Sequence, residues 1–313
     1  MVNTMNKSTE IETTSEHTVA QLISAYTKRL ELAKVYAPYE DAQALLAHAI
    51  GIEFEYGIPL SGNTPVNGQI AKKADSLVKR RENREPLARI IGSSKFWGLQ
   101  FTMADKVFRP DPHAETLVDN ALIALEDKKE EPLHILDLGT GSGCLLLALL
   151  HNLPNATGVG VDVDERSIIA AQNNAQSLEL STRASFIQSS WAENLEESFD
   201  FIIANPPAVT TEHMRLLDPE MREYETEESL IGGNDGLESL RAIAADLDRL
   251  LKPNGIALFR AHTWKREATF FKKEGFSDIE VKGNYRGNPW CVTLRRRQNK
   301  SLLSTIKNIF GLK

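Results

Sequence analysis

The stretch LHILDLGTGSG, Leu133–Gly143, carries the strongest fold signal in the chain. Its apolar LHILDL part predicts a buried strand, and the apolar residues of Cys144–Leu153 predict a helix directly after it. Between strand and helix, Gly139, Gly141 and Gly143 permit positive φ angles and let the backbone come close to a ligand. In an open α/β sheet, a turn of this kind at the carboxyl end of a strand is where ligands bind.

The alternation of strand and helix continues after this stretch. The apolar runs TGVGVDV, ASFIQS, DFIIAN and GIALFR predict further strands, and Glu165–Leu178 and Gly236–Leu251 predict helices among them. An amphipathic segment, His113–Leu125, predicts a helix before the first strand. Strands that alternate with helices indicate a parallel sheet with crossover helices, so the predicted fold class is α/β, a Rossmann-like doubly wound sheet.

The N-terminal part of the chain has a different pattern. Apolar residues recur at helical spacing between residues 18 and 83, which predicts a small helical domain. An aromatic-rich, loosely alternating segment follows and predicts extended structure. We therefore predict a helical N-terminal domain over residues 1–94, an extended linker over 95–109, the α/β domain over 110–297 and a basic amphipathic tail over 298–313.

Composition and charge narrow the class of protein. The chain has 313 residues, a net charge of −7 and an isoelectric point near 5.6, whereas proteins that grip long nucleic acids usually carry a positive excess. We therefore expect no DNA partner. The two cysteines, Cys144 and Cys291, allow at most one disulfide bridge, and the N-terminal residues contain no secretory segment. Both observations predict a cytoplasmic protein.

Asp162 supplies the second part of a predicted ligand site. It ends VGVD, the strand that follows the glycine loop. A carboxylate in this place can accept hydrogen bonds from both hydroxyl groups of a ribose. Its alternative role is to cap the next helix, which Asp164 would do equally well. The G-x-G-x-G spacing differs from the dinucleotide pattern and no P-loop lysine follows, so the loop favours S-adenosylmethionine over NAD.

A further motif ends the strand in FDFIIANPPA, Phe199–Ala208. Taken alone, an Asn-Pro-Pro turn after a strand usually does no more than terminate it. Here it follows the glycine loop, and other motifs flank it in order: REPLARIIGSSKFWGL at Arg84–Leu99 and IGGNDGLESLR at Ile231–Arg241. Together these motifs, over residues 86–294, resemble those of the HemK/PrmC-type release-factor glutamine methyltransferases, whose corresponding turn reads N-P-P-Y.

This resemblance implies a class I methyltransferase fold, S-adenosyl-L-methionine as the cofactor and no metal ion. It also implies the reaction: a methyl group is transferred to the side-chain amide nitrogen of a protein glutamine, in the Gly-Gly-Gln loop of a class I peptide chain release factor. The helical N-terminal domain would then recognise the substrate. Nothing in the resemblance points to an obligate oligomer, so a monomer is expected.

The resemblance also implies roles for individual residues. The Asn205 side-chain oxygen and the Pro206 backbone carbonyl would accept the two amide hydrogens of the substrate and aim its nitrogen at the methyl group, which makes these residues the expected catalytic pair. Pro207 and Ala208 would complete the substrate contact. The expected cofactor-binding residues are Gly139, Thr140, Gly141, Ser142, Gly143, Asp162, Trp191 and Asn205.

Ala208 departs from the family pattern, which has an aromatic residue that packs on the flat substrate group. Loss of a well-packed ring of this kind costs on the order of 1–3 kcal/mol. Such a loss slows a reaction about tenfold to a hundredfold, but it leaves the pair of acceptors in place.

Other departures lie on the substrate side as well. The family's P-R-P-E-T-E segment reads Pro110–Glu115, with Asp111 in place of the arginine and His113 in place of a glutamate. Its E-x-G at the end of a late strand reads Phe259-Arg260-Ala261, and Ser190 stands where an acid is usual. His113 is a weak candidate for a base, because the family mechanism needs none before transfer. The chain therefore reads as a divergent member of the family.

Three functions remain open on the sequence. The first is the protein-glutamine methyltransferase. The second is a nucleic-acid amino-methyltransferase, since N-P-P motifs also serve base amines, although those enzymes too place an aromatic residue after the prolines. The third is a protein that binds S-adenosylmethionine without transferring methyl. The tail over residues 298–313 has three alternatives of its own: contact with a membrane surface, capping of the domain, or disorder.

Overall fold

The computed structural model describes residues 17–52, 60–276, 278–284 and 286–295. The chain divides into two compact units, Met1–Ile91 and Gly92–Lys313. The predicted amphipathic tail over residues 298–313 lies outside the described residues. Within the described ranges, no helix is both long enough and apolar enough to cross a bilayer.

The first unit is built mainly from helices. Its elements are β1 (His17–Thr18), α1 (Val19–Leu32), α2 (Pro38–Ile50), β2 (Pro65–Val66), α3 (Gly68–Glu82) and α4 (Leu87–Ile91). Helix α1 begins at a capping box, in which Thr18 and Gln21 each accept a hydrogen bond from the other's backbone N–H. Leu22, Tyr26 and Leu30 lie on one face of α1 at helical spacing and are fully buried in the core of this unit.

The second unit begins with a hairpin and continues as an alternating series. Its elements, in chain order, are β3 (Ser93–Phe96), β4 (Leu99–Thr102), α5 (Glu115–Ala124), β5 (His134–Leu138), α6 (Cys144–Asn152), β6 (Thr157–Asp162), α7 (Glu165–Ser177), β7 (Ala184–Gln188), β8 (Phe199–Ala204), α8 (Pro219–Arg222), α9 (Glu227–Leu230), α10 (Glu238–Leu250), β9 (Leu251–Arg260), α11 (Trp264–Lys273), β10 (Ile279–Gly283) and β11 (Pro289–Arg295).

A seven-stranded sheet organises this unit, with the strand order β10-β11-β9-β8-β5-β6-β7. Strands β5 to β9 pair in parallel, and β11 runs antiparallel to both of its neighbours. The chain starts the sheet at β5, adds β6 and β7 on one side, and then crosses over to β8 on the other. The carboxyl ends of β5 and β8 therefore form the topological switch point, where open sheets of this kind bind ligands.

Both faces of the sheet are covered, which explains the continuous apolar runs in its sequence. In β8, Phe201 and Ile203 enter one core cluster together with residues of α5 and α6. Ile202 and Ala204 point to the opposite face and enter a second cluster with residues of α10 and α11. Successive residues of this central strand thus point to opposite faces of the sheet, and the apolar residues on each face belong to a separate core.

The predicted α/β fold class, a doubly wound sheet with a small helical N-terminal domain, is confirmed. Two predicted helices, Cys144–Leu153 and Glu165–Leu178, agree with α6 and α7 except at the last residue. Residues 95–109, predicted as an extended linker, contain most of the β3–β4 hairpin, which groups with the second unit. Strands β10 and β11 were not predicted, because they carry exposed charged residues and are joined by a turn rich in Gly and Asn.

A buried asparagine ties the hairpin to the glycine loop. Asn174 lies on α7, where its side-chain oxygen accepts from the Thr102 backbone N–H at 2.9 Å. Its amide group donates to the backbone carbonyl of Ser142 at 3.0 Å. One side chain thereby satisfies backbone groups of two separate segments, and it supports the loop that follows β5.

We expect Asn174→Ala to lower the free energy of unfolding by about 1–3 kcal/mol, because the Thr102 and Ser142 backbone groups lose their partner. Unfolding in urea measures the change. Asn173→Ala, one residue earlier on the same helix and exposed, is the matched control and should stay within about 0.5 kcal/mol of the unsubstituted chain. Equal losses in the two variants would contradict this role of Asn174.

Candidate active site

A cavity of about 460 Å³ opens at the carboxyl edge of the sheet. Residues at the ends of four strands line it: Gly139 after β5, Asn205 after β8, His262 after β9, and Asp162, the last residue of β6. Parallel strands end at the same edge of a sheet, so residues that are far apart in the sequence meet here. The cavity thus lies where the strand order places a ligand site.

The glycine loop is held against the end of β6. The Val161 carbonyl accepts hydrogen bonds from the backbone N–H groups of Gly139 at 2.9 Å and Thr140 at 2.8 Å. Gly143 has a φ of +81°, and a Cβ atom at this position would lie 3.1 Å from the Cβ of Ala171 on α7. Only glycine therefore lets the loop turn into α6 at this distance from α7.

Asp162, on the neighbouring strand β6, also holds the glycine loop in place. One carboxylate oxygen accepts from the Gly141 backbone N–H at 2.9 Å, and the other accepts from the Asp164 backbone N–H at 3.0 Å. Burial raises the pKa of this carboxyl, and the two backbone hydrogen bonds oppose that shift. Because each carboxylate oxygen can accept two hydrogen bonds, both retain capacity for the hydroxyl groups of a ribose. Asp164, not Asp162, caps α7.

A second acid, Asp137, lies beneath the loop. It is fully buried, and its Oδ2 accepts from the Thr140 hydroxyl at 2.8 Å. Burial raises the pKa of Asp137 to about 7, although the hydrogen bond from Thr140 opposes the shift. This carboxyl therefore titrates near neutral pH in the folded protein.

The Asn-Pro-Pro turn is braced by the IGGNDGLESLR motif. A Cβ atom on Gly232 would lie 2.6 Å from the Pro207 carbonyl oxygen, and one on Gly236 would lie 2.4 Å from the Ala208 carbonyl oxygen. Only residues without a side chain can approach these carbonyls so closely. Backbone hydrogen bonds, from Val209 to the Leu230 carbonyl and from Gly232 to the Val209 carbonyl, fix the two segments together. The motif thus holds the backbone of the turn.

Two acceptors in this turn face no competing partner. In the described part of the chain, neither the Asn205 side chain nor the Pro206 carbonyl takes part in a hydrogen bond. Both residues line the cavity. The prolines have no N–H groups of their own, so they do not satisfy these acceptors locally. The arrangement can therefore receive the two hydrogens of a primary amide.

Trp191 forms another part of the cavity wall. Its φ of +48° is uncommon for a residue with a side chain, and its ring lies 3.7 Å from where a Cβ on Gly139 would be. A flat indole beside the glycine loop can pack on an adenine base. Cys144 also lines the cavity, but burial raises the pKa of its thiol to about 12. That thiol stays protonated at neutral pH and is no nucleophile.

The cavity gathers almost all residues that the sequence singled out. Those that line it are Gly139, Thr140, Gly141, Ser142, Asp162, Trp191, Asn205, Pro206, Pro207 and Ala208. Gly143 is absent from the lining because it packs against α7 instead. His113, the weak candidate for a base, does not line the cavity either; its ring centre lies 5.5 Å from that of Trp290.

Sequence reasoning missed His262, which lines the cavity and is open to it. The surrounding protein lowers its pKa to about 4, chiefly because the cavity wall displaces water from around the ring and further through the charges of Arg260 and Arg266, while Asp111 opposes the shift. The imidazole is therefore neutral at physiological pH. The only sequence signal was its position two residues after the predicted strand GIALFR.

The segment between the Asn-Pro-Pro turn and α10 also supplies lining residues that the sequence did not indicate. Met221 on α8 lines the cavity, and its sulfur lies 3.5 Å from the guanidinium of Arg109. The Arg109 Nε is 3.8 Å from a carboxylate oxygen of Glu225, which is buried. These contacts join the segment before α5 to the segment after β8.

The strand order, the glycine loop at the switch point and the carboxylate at the end of the second strand define a class I methyltransferase, whose cofactor is S-adenosylmethionine. The donor set fits this cofactor, since Asp162 offers acceptors for a ribose and Trp191 a flat face for adenine. The family described as "Methyltransferase domain" matches residues 129–304. The family described as "PrmC N-terminal domain" matches residues 21–92.

Curated relatives make the assignment specific. The release factor glutamine methyltransferase of Rhodospirillum rubrum is 34% identical over 281 residues, which cover 89% of this chain and 85% of that protein. The release factor glutamine methyltransferase of Agrobacterium fabrum is 35% identical over 281 residues, covering 88% of this chain and 96% of the relative. The chain belongs to the release factor glutamine methyltransferase family.

A solved structure agrees at the level of the fold. The catalytic domain of hMettl16, in complex with an RNA hairpin of the MAT2A 3′UTR, aligns with a TM-score of 0.51 at 17% sequence identity. The alignment covers 74% of this chain and 82% of that domain. At this identity the similarity shows a shared methyltransferase fold and nothing further.

We expect Asp137→Asn to change how stability depends on pH. The carboxyl holds its proton more tightly in the fold than in the unfolded chain, so its contribution to stability is present below about pH 4 and is lost as the pH rises through about 7. Asparagine does not titrate. The free energy of unfolding of Asp137→Asn, relative to the unsubstituted chain, should therefore rise by up to a few kcal/mol between these pH values.

Urea unfolding at a series of pH values measures this difference. Asp164→Asn is a control with the opposite sign, because the hydrogen bond and charge of Arg166 lower the pKa of Asp164. That contribution is present above the unfolded pKa and is lost as the pH falls. A pH-independent difference for Asp137→Asn would show that the buried carboxyl does not titrate near pH 7.

Proposed function

We propose that this chain transfers a methyl group from S-adenosylmethionine to the side-chain amide nitrogen of the glutamine in the Gly-Gly-Gln loop of a class I peptide chain release factor. The observation that carries the proposal is the pair of free acceptors, the Asn205 side-chain oxygen and the Pro206 carbonyl, in the wall of the cavity. The names of the curated relatives support the same substrate.

The acceptor pair suits a primary amide for a chemical reason. An amide nitrogen is a poor nucleophile, because its lone pair is delocalised into the carbonyl group. Two acceptors that hold both N–H hydrogens fix the plane of the amide and draw electron density toward the nitrogen. Catalysis then comes mainly from orientation and electrostatic stabilisation by groups already in place. The bound cofactor supplies an electrophilic methyl group.

We assign the cofactor to the β5 and β6 side of the cavity. Asp162 would hold the ribose, Trp191 would pack on the adenine, and the glycine loop would lie along the rest of the cofactor. Asn205, which also lines the cavity, would contact both the cofactor and the substrate. Pro207 and Ala208 would contact the substrate side chain.

The remaining functions are less well supported. A base amine of a nucleic acid would need a stacking ring where Ala208 stands, and the net charge of −7 gives little attraction for phosphates. A protein that binds the cofactor without transferring methyl would have no need of two free acceptors. We further infer that the chain acts as a monomer in the cytoplasm, where its proposed substrate works.

We expect Asn205→Ala to reduce the rate of release-factor methylation by about 100-fold or more at saturating cofactor, because the amide loses one of its two acceptors. Transfer of a labelled methyl group to a purified class I release factor measures the rate. Asn173→Ala, at an exposed site on α7, serves as the matched control and should keep the full rate. Methylation that survives unchanged in Asn205→Ala would remove the basis of the proposal.

We expect Ala208→Tyr to raise kcat/KM for the release factor about tenfold, since it restores a ring that can pack on the flat amide. Ala208→Leu adds volume without a ring and is the matched control. The same labelled assay gives both values. If kcat/KM rises in both variants, or in neither, the absence of an aromatic contact at position 208 does not limit the reaction.

A further inference from the structure

A short turn, Asp111–Ala114, forms part of the cavity wall and is held from two sides. Asp111 and Ala114 line the cavity. The turn is closed by a hydrogen bond from the His113 backbone N–H to an Asp111 carboxylate oxygen at 2.9 Å. From the sheet, the Trp290 indole N–H donates to the His113 carbonyl at 3.0 Å. Trp290 on β11 thus fixes the outer side of the turn.

Arg260 sits between these two contacts. It is the last residue of β9 and only 7% of its surface is exposed. Its guanidinium carbon lies 4.0 Å from the centre of the Trp290 ring, and its Nη1 lies 3.9 Å from the Asp111 carboxylate. Arg260 therefore contacts both residues that hold the turn, one through a cation–π interaction and one through opposite charge.

The charge of Asp111 matters because Arg260 has few other partners. Its Nε and Nη1 make no hydrogen bond in the described part of the chain. Desolvation lowers the pKa of the guanidinium, and the negative charge of Asp111 is the main effect that opposes this shift. A buried cation is costly unless an opposite charge is near. A positive residue at position 111 would leave two cations facing each other at this distance.

The pair lies beside the reacting end of the cavity. Ala204 on β8 pairs with Phe259 on β9, so Arg260 is level with Asn205 on the adjacent strand. His262, two residues further, lines the cavity and is sensitive to the charges of both Arg260 and Asp111. A change of charge at position 111 or 260 therefore alters the electrostatic environment in the part of the cavity where the amide would bind.

We propose that Arg260 is a positioning residue that clamps the Asp111–Ala114 turn through Asp111 and Trp290, and that methyl transfer requires opposite charges at positions 111 and 260. The proposal rests on the proposed function, since it concerns the substrate end of that site. Asp111 stands where the pattern of the family has an arginine, and Arg260 occupies the variable position of its E-x-G. Because Arg260 lies beside Asp111, the acid at position 111 has an opposite charge to pair with, and this pair keeps the turn in place.

A charge-exchange cycle tests the clamp. Asp111→Arg and Arg260→Glu, each alone, place like charges together and should lower kcat/KM for the release factor by about tenfold or more. The double variant Asp111→Arg/Arg260→Glu restores opposite charges and should recover to within about threefold of the unsubstituted chain. The loss in the single variants should fall mainly on the KM for the release factor, with cofactor affinity nearly unchanged.

An exposed ion pair provides the matched control. Arg215 and Glu212 also lie 3.9 Å apart, but their side chains are 76% and 79% exposed. Glu212→Arg, Arg215→Glu and their double variant should show no coupling beyond error, since exposed pairs contribute little. If the kcat/KM of the double variant Asp111→Arg/Arg260→Glu is no higher than that of the less active single variant, the clamp is overturned.

The titration of His262, followed by NMR, tests the clamp without any substrate. Arg260→Glu should raise the pKa of His262 toward its ordinary value, and Asp111→Arg should lower it further. If the chain transfers no methyl but His262 responds in this way, the proposed function fails, while the contact of Arg260 with Asp111 and the turn stands. If the chain methylates the release factor and neither the charge exchange nor His262 responds, the clamp fails and the proposed function stands.

Discussion

The hydrogen bond from the Gly141 backbone N–H to the Asp162 carboxylate, 2.9 Å long, is the contact on which the cofactor side of the site depends. It joins the loop after β5 to the end of β6. Along the chain, the whole of α6 lies between these two segments. Parallel pairing brings the two strand ends side by side, and the second carboxylate oxygen is fixed by the Asp164 backbone N–H. The acceptors are therefore oriented before a ligand arrives, which reduces the ordering that binding requires.

The substrate side depends on a different constraint, the close approach of two backbone segments. Gly232 and Gly236 lie so near the carbonyls of Pro207 and Ala208 that a side chain at either position would displace the turn. The position of the turn is thus set by residues that contribute no functional group. This explains why the side chain at position 208 can change while the two acceptors before it remain available.

The sequence was most informative where structure is local. The strand, glycine loop and α6 follow from one contiguous stretch, and the carboxylate of Asp162 follows from its place at the end of the next strand. The fold class follows from the strand and helix alternation. The structure shows that the lining residues surround one cavity. Their roles in binding and catalysis remain predictions.

Features that depend on long-range pairing were not accessible from the sequence. His262 enters the cavity only because β9 lies beside β8, and Trp290 reaches the Asp111 turn only because β11 pairs with β9. The apolar runs predict β8 and β9 as strands but not that they lie side by side, and β11 was not predicted at all. For the same reason the sequence did not show that Asp111 and Arg260 form a pair, with charged groups 3.9 Å apart.

The most direct test of the central claim is to locate the methyl group. The protein is incubated with S-adenosylmethionine and a class I release factor, and tandem mass spectrometry of the peptide with the Gly-Gly-Gln loop identifies the modified atom. The expected result is a single methyl group on the side-chain amide of that glutamine. A methyl group on another residue, or none from protein that binds the cofactor, would contradict it.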